Sequence, residues 1–217
     1  MEQRGFFQNF PPVTRNILIV NVIMFVAMWL ADVRSGGTGQ DGENIMVTLF
    51  ALYPPSSAGF RWWQPVTYMF MHANFMHILC NMYTFVMFGC IVERAIGSKR
   101  FLWFYLITGL GAVALHLAVM HFFFPLQANV PMVGASGAIY GILVAFAMLY
   151  PQARITMIFP PITLMAKWWV TIFIVLEVFM GVTETGMGIA HFAHLGGALF
   201  GFLLILYWRK RGLLWRR

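Results

Sequence analysis

Six apolar runs, at about 16–33, 66–91, 101–121, 134–150, 166–183 and 189–208, approach or reach the length needed to cross a bilayer. A hydrocarbon core about 30 Å thick takes roughly 20 residues at about 1.5 Å of rise each. Inside lipid every backbone N–H and C=O must be paired within the chain, so such runs fold as helices. The 217 residues are 60% hydrophobic and 10% charged, against about 45–50% and about 25% in soluble domains. One soluble core of this size cannot hide that much apolar surface. The expected fold is therefore all-α, a polytopic membrane protein built as a six-helix bundle. Its single domain covers 16–208, between an N-terminal segment 1–15 and a basic tail 209–217.

The connecting segments fix the expected sidedness. "ERAIGSKR" (93–100), "PQARITMIFPPITLMAK" (151–167), "RKRGLLWRR" (209–217), Arg4 and Arg15 hold most of the 14 Lys and Arg. By the positive-inside rule that side, with both termini, is cytoplasmic. This makes the chain a multi-pass protein of a cell membrane, expected to be a bacterial inner membrane. Topology and anionic headgroups then account for the net charge of +7, so the bilayer is the partner and no nucleic acid is required. The first run lacks a small-residue cleavage site and reads as a retained helix. The long segment 34–65 lies on the outer side, with Trp62 and Trp63 suited to the interface. Cys80 and Cys90 are ten residues apart on one helix, about 15 Å along its axis, too far to bridge.

Polar residues inside the membrane are costly and mark function. Of the serines Ser35, Ser56, Ser57, Ser98 and Ser136, only Ser136 enters a run. The histidines are His72, His77, His116, His121, His191 and His194, and Asn81 follows His77 by one helical turn. Counting rise from the inner ends places Ser136 and His194 each about 21 Å up their helices and His77 about 24 Å up its own. The three thus share one level. Gly137 and Gly141 on the fourth helix, and Ala193, Gly197 and Gly201 on the sixth, form small-residue faces that let membrane helices pack closely.

A serine hydroxyl within reach of an imidazole is the arrangement that activates a nucleophile. Oxyanion donors are available in His77, the Asn81 amide and the Ser136 backbone N–H, which is free in the first turn of its helix. No acidic residue is available to orient the base: Asp32 and Asp41 come too early and Glu184 lies in an outer loop. Tyr140, one turn below Ser136, offers its ring to the imidazole instead. Each piece has a plainer reading. A serine at a helix start caps or packs, and "GASG" lacks the spacing of the G-x-S-x-G elbow. His72, His116 and His121 read as structural, and so does Glu177, for which the sequence offers no partner.

Together the pieces carry a resemblance. "GASGAIYG" (134–141), "HANFMHILCN" (72–81), "VERAIG" (92–97) and "AHLGGALFG" (193–201), in this order on six helices, resemble the rhomboid family of intramembrane serine proteases over about 63–202. The resemblance implies a catalytic dyad of Ser136 and His194, with His77 and Asn81 at the oxyanion. It makes His72 a supporting histidine and Glu93 a structural acid, with Gly134, Gly137 and Tyr140 as further supporting positions. It implies transmembrane protein substrates, cut in or near the outer end of a helix, and no cofactor. One departure stands out: many members have Trp-Arg where this chain has Trp63-Gln64, which bears on the anchoring of the outer loop.

Other classes lack their signatures. A zinc intramembrane protease needs H-E-x-x-H, and His191 and His194 enclose no glutamate, so no metal is expected. An aspartyl type needs two intramembrane aspartates, and none lies beyond the first helix. A haem- or metal-binding bundle built on the outer histidines is a third class. The closest alternative is a catalytically silent relative that binds transmembrane segments; loss of Ser or His would mark it, and both are present.

Overall fold

A computed structural model describes residues 10–34, 44–123, 130–157, 161–183 and 191–214. The elements are α1 (Pro12–Arg34), α2 (Ile45–Phe50), α3 (Gln64–Thr67) running into a 3-10 turn (Tyr68–Phe70), α4 (Phe75–Ile96), α5 (Ser98–Phe123), α6 (Ser136–Leu149), β1 (Arg154–Thr156), β2 (Thr163–Met165), α7 (Ala166–Thr183) and α8 (His191–Lys210). The architecture is an all-α polytopic bundle. Among the described residues, α1, α4, α5, α7 and α8 are long and apolar enough to cross a membrane. Exposed apolar side chains on α1 and α7, such as Ile23, Trp29, Val175 and Phe179, face outward as lipid contact requires.

The sixth expected span differs. α6 has 14 residues, about 21 Å of helix, too short to cross a core of about 30 Å. It can be short because it is the hub: from Gly137 to Ala147 every residue except Tyr140 is buried by its neighbours. Its first residue, Ser136, thereby sits below the level at which a full-length helix would end.

The second run also differs from expectation. Its apolar pattern reads as one helix from 66, but α4 begins only at Phe75. Pro65 opens the short α3, and Met71 after the 3-10 turn is extended. The Asn74 side chain then accepts from the His77 N–H at 2.8 Å, a cap that starts the helix there. At its far end Glu93 accepts from the N–H groups of Val13 (3.0 Å) and Thr14 (2.7 Å) and from the Thr14 hydroxyl (2.7 Å). It closes the free N-terminal donors of α1. The segment 151–167, read from sequence as a connection between helices, contains two antiparallel strands that pair Arg154 with Met165 and Thr156 with Thr163.

The Trp63-Gln64 departure receives a physical account. Gln64 is fully buried. Its Oε1 accepts from the N–H groups of Tyr53 (3.2 Å) and Arg61 (3.1 Å), and its Nε2 donates to the carbonyls of Thr48 (3.3 Å) and Gly59 (3.0 Å). One neutral amide ties α2, through Thr48, to three points of the segment between α2 and α3. Trp63 adds a bond from Nε1 to the Leu49 carbonyl at 2.8 Å.

Candidate active site

The chain ahead of α6 is held as firmly as a strand. Met132 and Leu52 exchange both backbone hydrogen bonds at 2.9 Å, and the Gly134 N–H donates to the Tyr68 carbonyl at 3.0 Å. Gly134 has φ +131°, a conformation that favours glycine. A β-carbon there would also stand 3.0 Å from the His77 imidazole. Ala135 and Ser136 follow, so the hydroxyl enters at a fixed place, on the first residue of α6.

The small-residue faces of α6 and α8 meet each other. A β-carbon on Gly197 would lie 1.8 Å from the Gly137 carbonyl oxygen, and one on Gly201 would lie 2.8 Å from the Gly141 Cα. Gly137 is equally confined, with Ala112 on α5 at 2.5 Å from its missing β-carbon. This backbone-to-backbone approach carries His194, in the first turn of α8, against Ser136. Ser136 Oγ and His194 Nε2 are 2.8 Å apart. The Tyr140 ring lies flat on the imidazole, with centroids 4.3 Å apart and planes at 7°.

The other edge of that imidazole holds Glu177, the residue for which the sequence offered no partner. His194 Nδ1 is 2.9 Å from Glu177 Oε1 on α7. The carboxylate oxygen thus faces the second ring nitrogen at ion-pair distance. Glu177 also bonds His191 Nδ1 through Oε2 at 2.6 Å and accepts from the Tyr140 hydroxyl. The expectation that Glu177 has no partner, and that the base has no acid beside it, is corrected by these contacts. A signal was available: a carboxylate in lipid is costly without a partner. The same count of rise puts Glu177 about 16 Å from the Ala166 end of α7, a side chain's length from the level of His194.

His77 lies in the first turn of α4, its ring against Gly134 on the Ser136 side. Its Nδ1 accepts from the Ala73 N–H at 3.3 Å, and His72, fully buried, packs edge-on against it at 5.0 Å. Asn81 Nδ2 donates to the His77 carbonyl at 2.8 Å, which leaves its second amide hydrogen uncommitted. Asn81 and Ser136 both border a cavity of about 590 Å³ between α4, α6 and α7, walled by Tyr83, Met87, Trp169 and Phe173. Tyr83 and Met87 are half exposed on the outer surface, so an apolar cleft runs from the lipid-facing side to the hydroxyl. His116 and His121 are carried by α5. Glu184, expected in an outer loop, lies outside the described residues.

Glu177, His191 and His194 have the donor types of a divalent-metal site, with ligand atoms within 4.8 Å of one another. Donors bound about 2.0–2.2 Å from one tetrahedral ion stand more than about 3 Å apart. The pairs here at 2.6 and 2.9 Å touch directly, as a carboxylate and imidazoles do without an ion between them.

Residues 59–211 match the family model of the Rhomboid domain. Rhomboid-like protease 3 of Toxoplasma gondii is 26% identical over 89% of this chain and 68% of its own. RHOMBOID-like protein 6, mitochondrial, of Arabidopsis thaliana is 29% identical over 94% of this chain and 70% of its own. Presenilin-associated rhomboid-like protein A, mitochondrial, of Danio rerio is 30% identical over 78% of this chain, which spans 44% of that protein's length.

Proposed function

This chain belongs to the rhomboid family, and we propose that it is an intramembrane serine protease in which Ser136 is the nucleophile and His194 the general base. The observation that carries this reading is the 2.8 Å separation of Ser136 Oγ and His194 Nε2 beside an apolar cleft that opens between α4 and α7. One similar chain bears the word protease in its name.

Ser136 Oγ attacks the carbonyl carbon of a peptide bond while its proton passes to His194 Nε2. The oxygen that gains charge is met by the Ser136 N–H, His77 and the Asn81 amide. The imidazolium returns the proton to the leaving nitrogen as the C–N bond breaks, and water then hydrolyses the ester on Ser136 by the same route. The substrate is a transmembrane helix entering through the cleft. Its backbone must unwind locally to expose a carbonyl, which favours small and helix-breaking residues near the cut. The catalytic unit is the bundle 16–208, flanked by 1–15 and by the tail 209–217. The end carrying Arg94, Lys99, Arg154, Lys167 and Arg209 faces the cytoplasm.

The test is incubation of purified protein with a single-span substrate. Cleavage is expected from the wild type and is lost in Ser136→Ala, which deletes one hydroxyl and leaves the packing intact. Cleavage undiminished in Ser136→Ala would sink the serine mechanism. A folded wild type that binds the segment without cutting it is the result the catalytically silent alternative requires.

A further inference from the structure

We infer that Glu177 is a positioning residue for the base, so that the site works as Ser136–His194–Glu177 rather than as two residues alone. The inference rests on the protease reading above and adds a third group to it.

Three observations carry it. The carboxylate stands 2.9 Å from His194 Nδ1, while Nε2 of the same ring meets Ser136 Oγ at 2.8 Å. The two nitrogens are thus divided between an anion and a hydroxyl. An anion beside Nδ1 favours the tautomer with its proton there and leaves Nε2 as the acceptor that general-base action needs. The same charge opposes the cost of forming an imidazolium in an apolar surround.

Second, Glu177 is held as a fixed group. It is 5% exposed. Tyr140 donates its hydroxyl to Oε1 and His191 Nδ1 bonds Oε2 at 2.6 Å. Both partners therefore aim the carboxylate, and Tyr140 does two tasks at once, because its ring is stacked on the imidazole that the carboxylate faces. Third, the carboxylate comes from α7, a helix that supplies neither Ser136 nor His194. α7 also forms one wall of the cleft through Trp169, Val170 and Phe173.

A purely structural Glu177 predicts something different from a positioning one, and glutamine separates them. In Glu177→Gln the side-chain amide would still accept from Tyr140 through oxygen and still bond His191 through nitrogen, but it has no charge for His194. The experiment measures kcat and KM of purified Glu177→Gln, Glu177→Asp and wild type on one single-span substrate, with Tm for each and Ser136→Ala as the blank. The expected result is a fall in kcat of about a hundredfold or more for the Gln variant, with KM within about threefold and Asp retaining more activity than Gln. Full kcat in a folded Gln variant, or Gln as active as Asp, would overturn the assignment. If the Gln variant does not fold, Asp carries the test. Its carboxylate is set back by about 1.5 Å, and kcat is expected to fall at least about tenfold; an unchanged value overturns the inference. Wild type without Ser136-dependent cleavage would instead remove the protease reading itself, so the two failures are told apart.

Discussion

Gly197 on α8 lies so close to Gly137 on α6 that a single added methyl would sit 1.8 Å from the Gly137 carbonyl oxygen. No side-chain rotation relieves a clash with backbone, so the two helices would have to separate, and His194 would move away from Ser136 with them. Gly197→Ala is expected to cost about 3 kcal/mol or more and to abolish cleavage. Gly89→Ala is the contrast: its β-carbon meets Phe101 at 3.4 Å, an ordinary contact. That variant should be neutral or more stable by up to about 1 kcal/mol. Thermal unfolding of the two proteins in detergent checks the pair.

The two histidines of "AHFAHLGG" should behave differently. His194 touches Ser136, while His191 reaches only Glu177. His194→Ala is expected to be as inactive as Ser136→Ala, because the groups act as a unit. His191→Ala should keep activity within about tenfold of wild type, with a lowered Tm, since it leaves the carboxylate one anchor on Tyr140. Equal loss in both variants would contradict these separate roles.

Gln64 is expected to govern the outer segment. Replacing it by leucine strands four buried or half-buried backbone groups, at about 1–3 kcal/mol for each that finds no water. Gln64→Leu should lower Tm strongly, whereas Trp62→Ala, at a residue 81% exposed, should barely change it. Unfolding curves of the two variants decide this.

Cys80 offers a native handle on the cleft, since it is exposed and lines the same cavity as Ser136. A bulky maleimide on Cys80 should slow cleavage of a transmembrane substrate severely, and Cys80→Ala should be insensitive to the reagent. If full alkylation of Cys80 left the rate unchanged, substrate would not enter between α4 and α7.

What the sequence made legible follows from where periodicity and spacing speak. The six runs, the common level of Ser136, His77 and His194, and the facing ladders at Gly137/Gly141 and Gly197/Gly201 are all one-dimensional features, and each has its counterpart in the fold. The break between Phe70 and Phe75 is hidden because the residues around it are as apolar as a helix would be; only Asn74 marks the start. The strand pair β1 and β2 is hidden for the same reason, its alternation being masked by apolar neighbours. The partners of Glu177 are not legible because Tyr140 and His194 come from two other helices. Rotation about a helix axis sets such meetings, and a count of rise does not contain it.

The central claim, that Ser136 is made nucleophilic by His194, can be measured without knowing a substrate. An alkyl fluorophosphonate adds to an activated serine hydroxyl, and mass spectrometry of the digested protein locates the adduct. The account predicts stoichiometric modification of Ser136 in the wild type and loss of that labelling in His194→Ala. A folded wild type that stays unmodified at Ser136, or labelling that survives undiminished in His194→Ala, would contradict it.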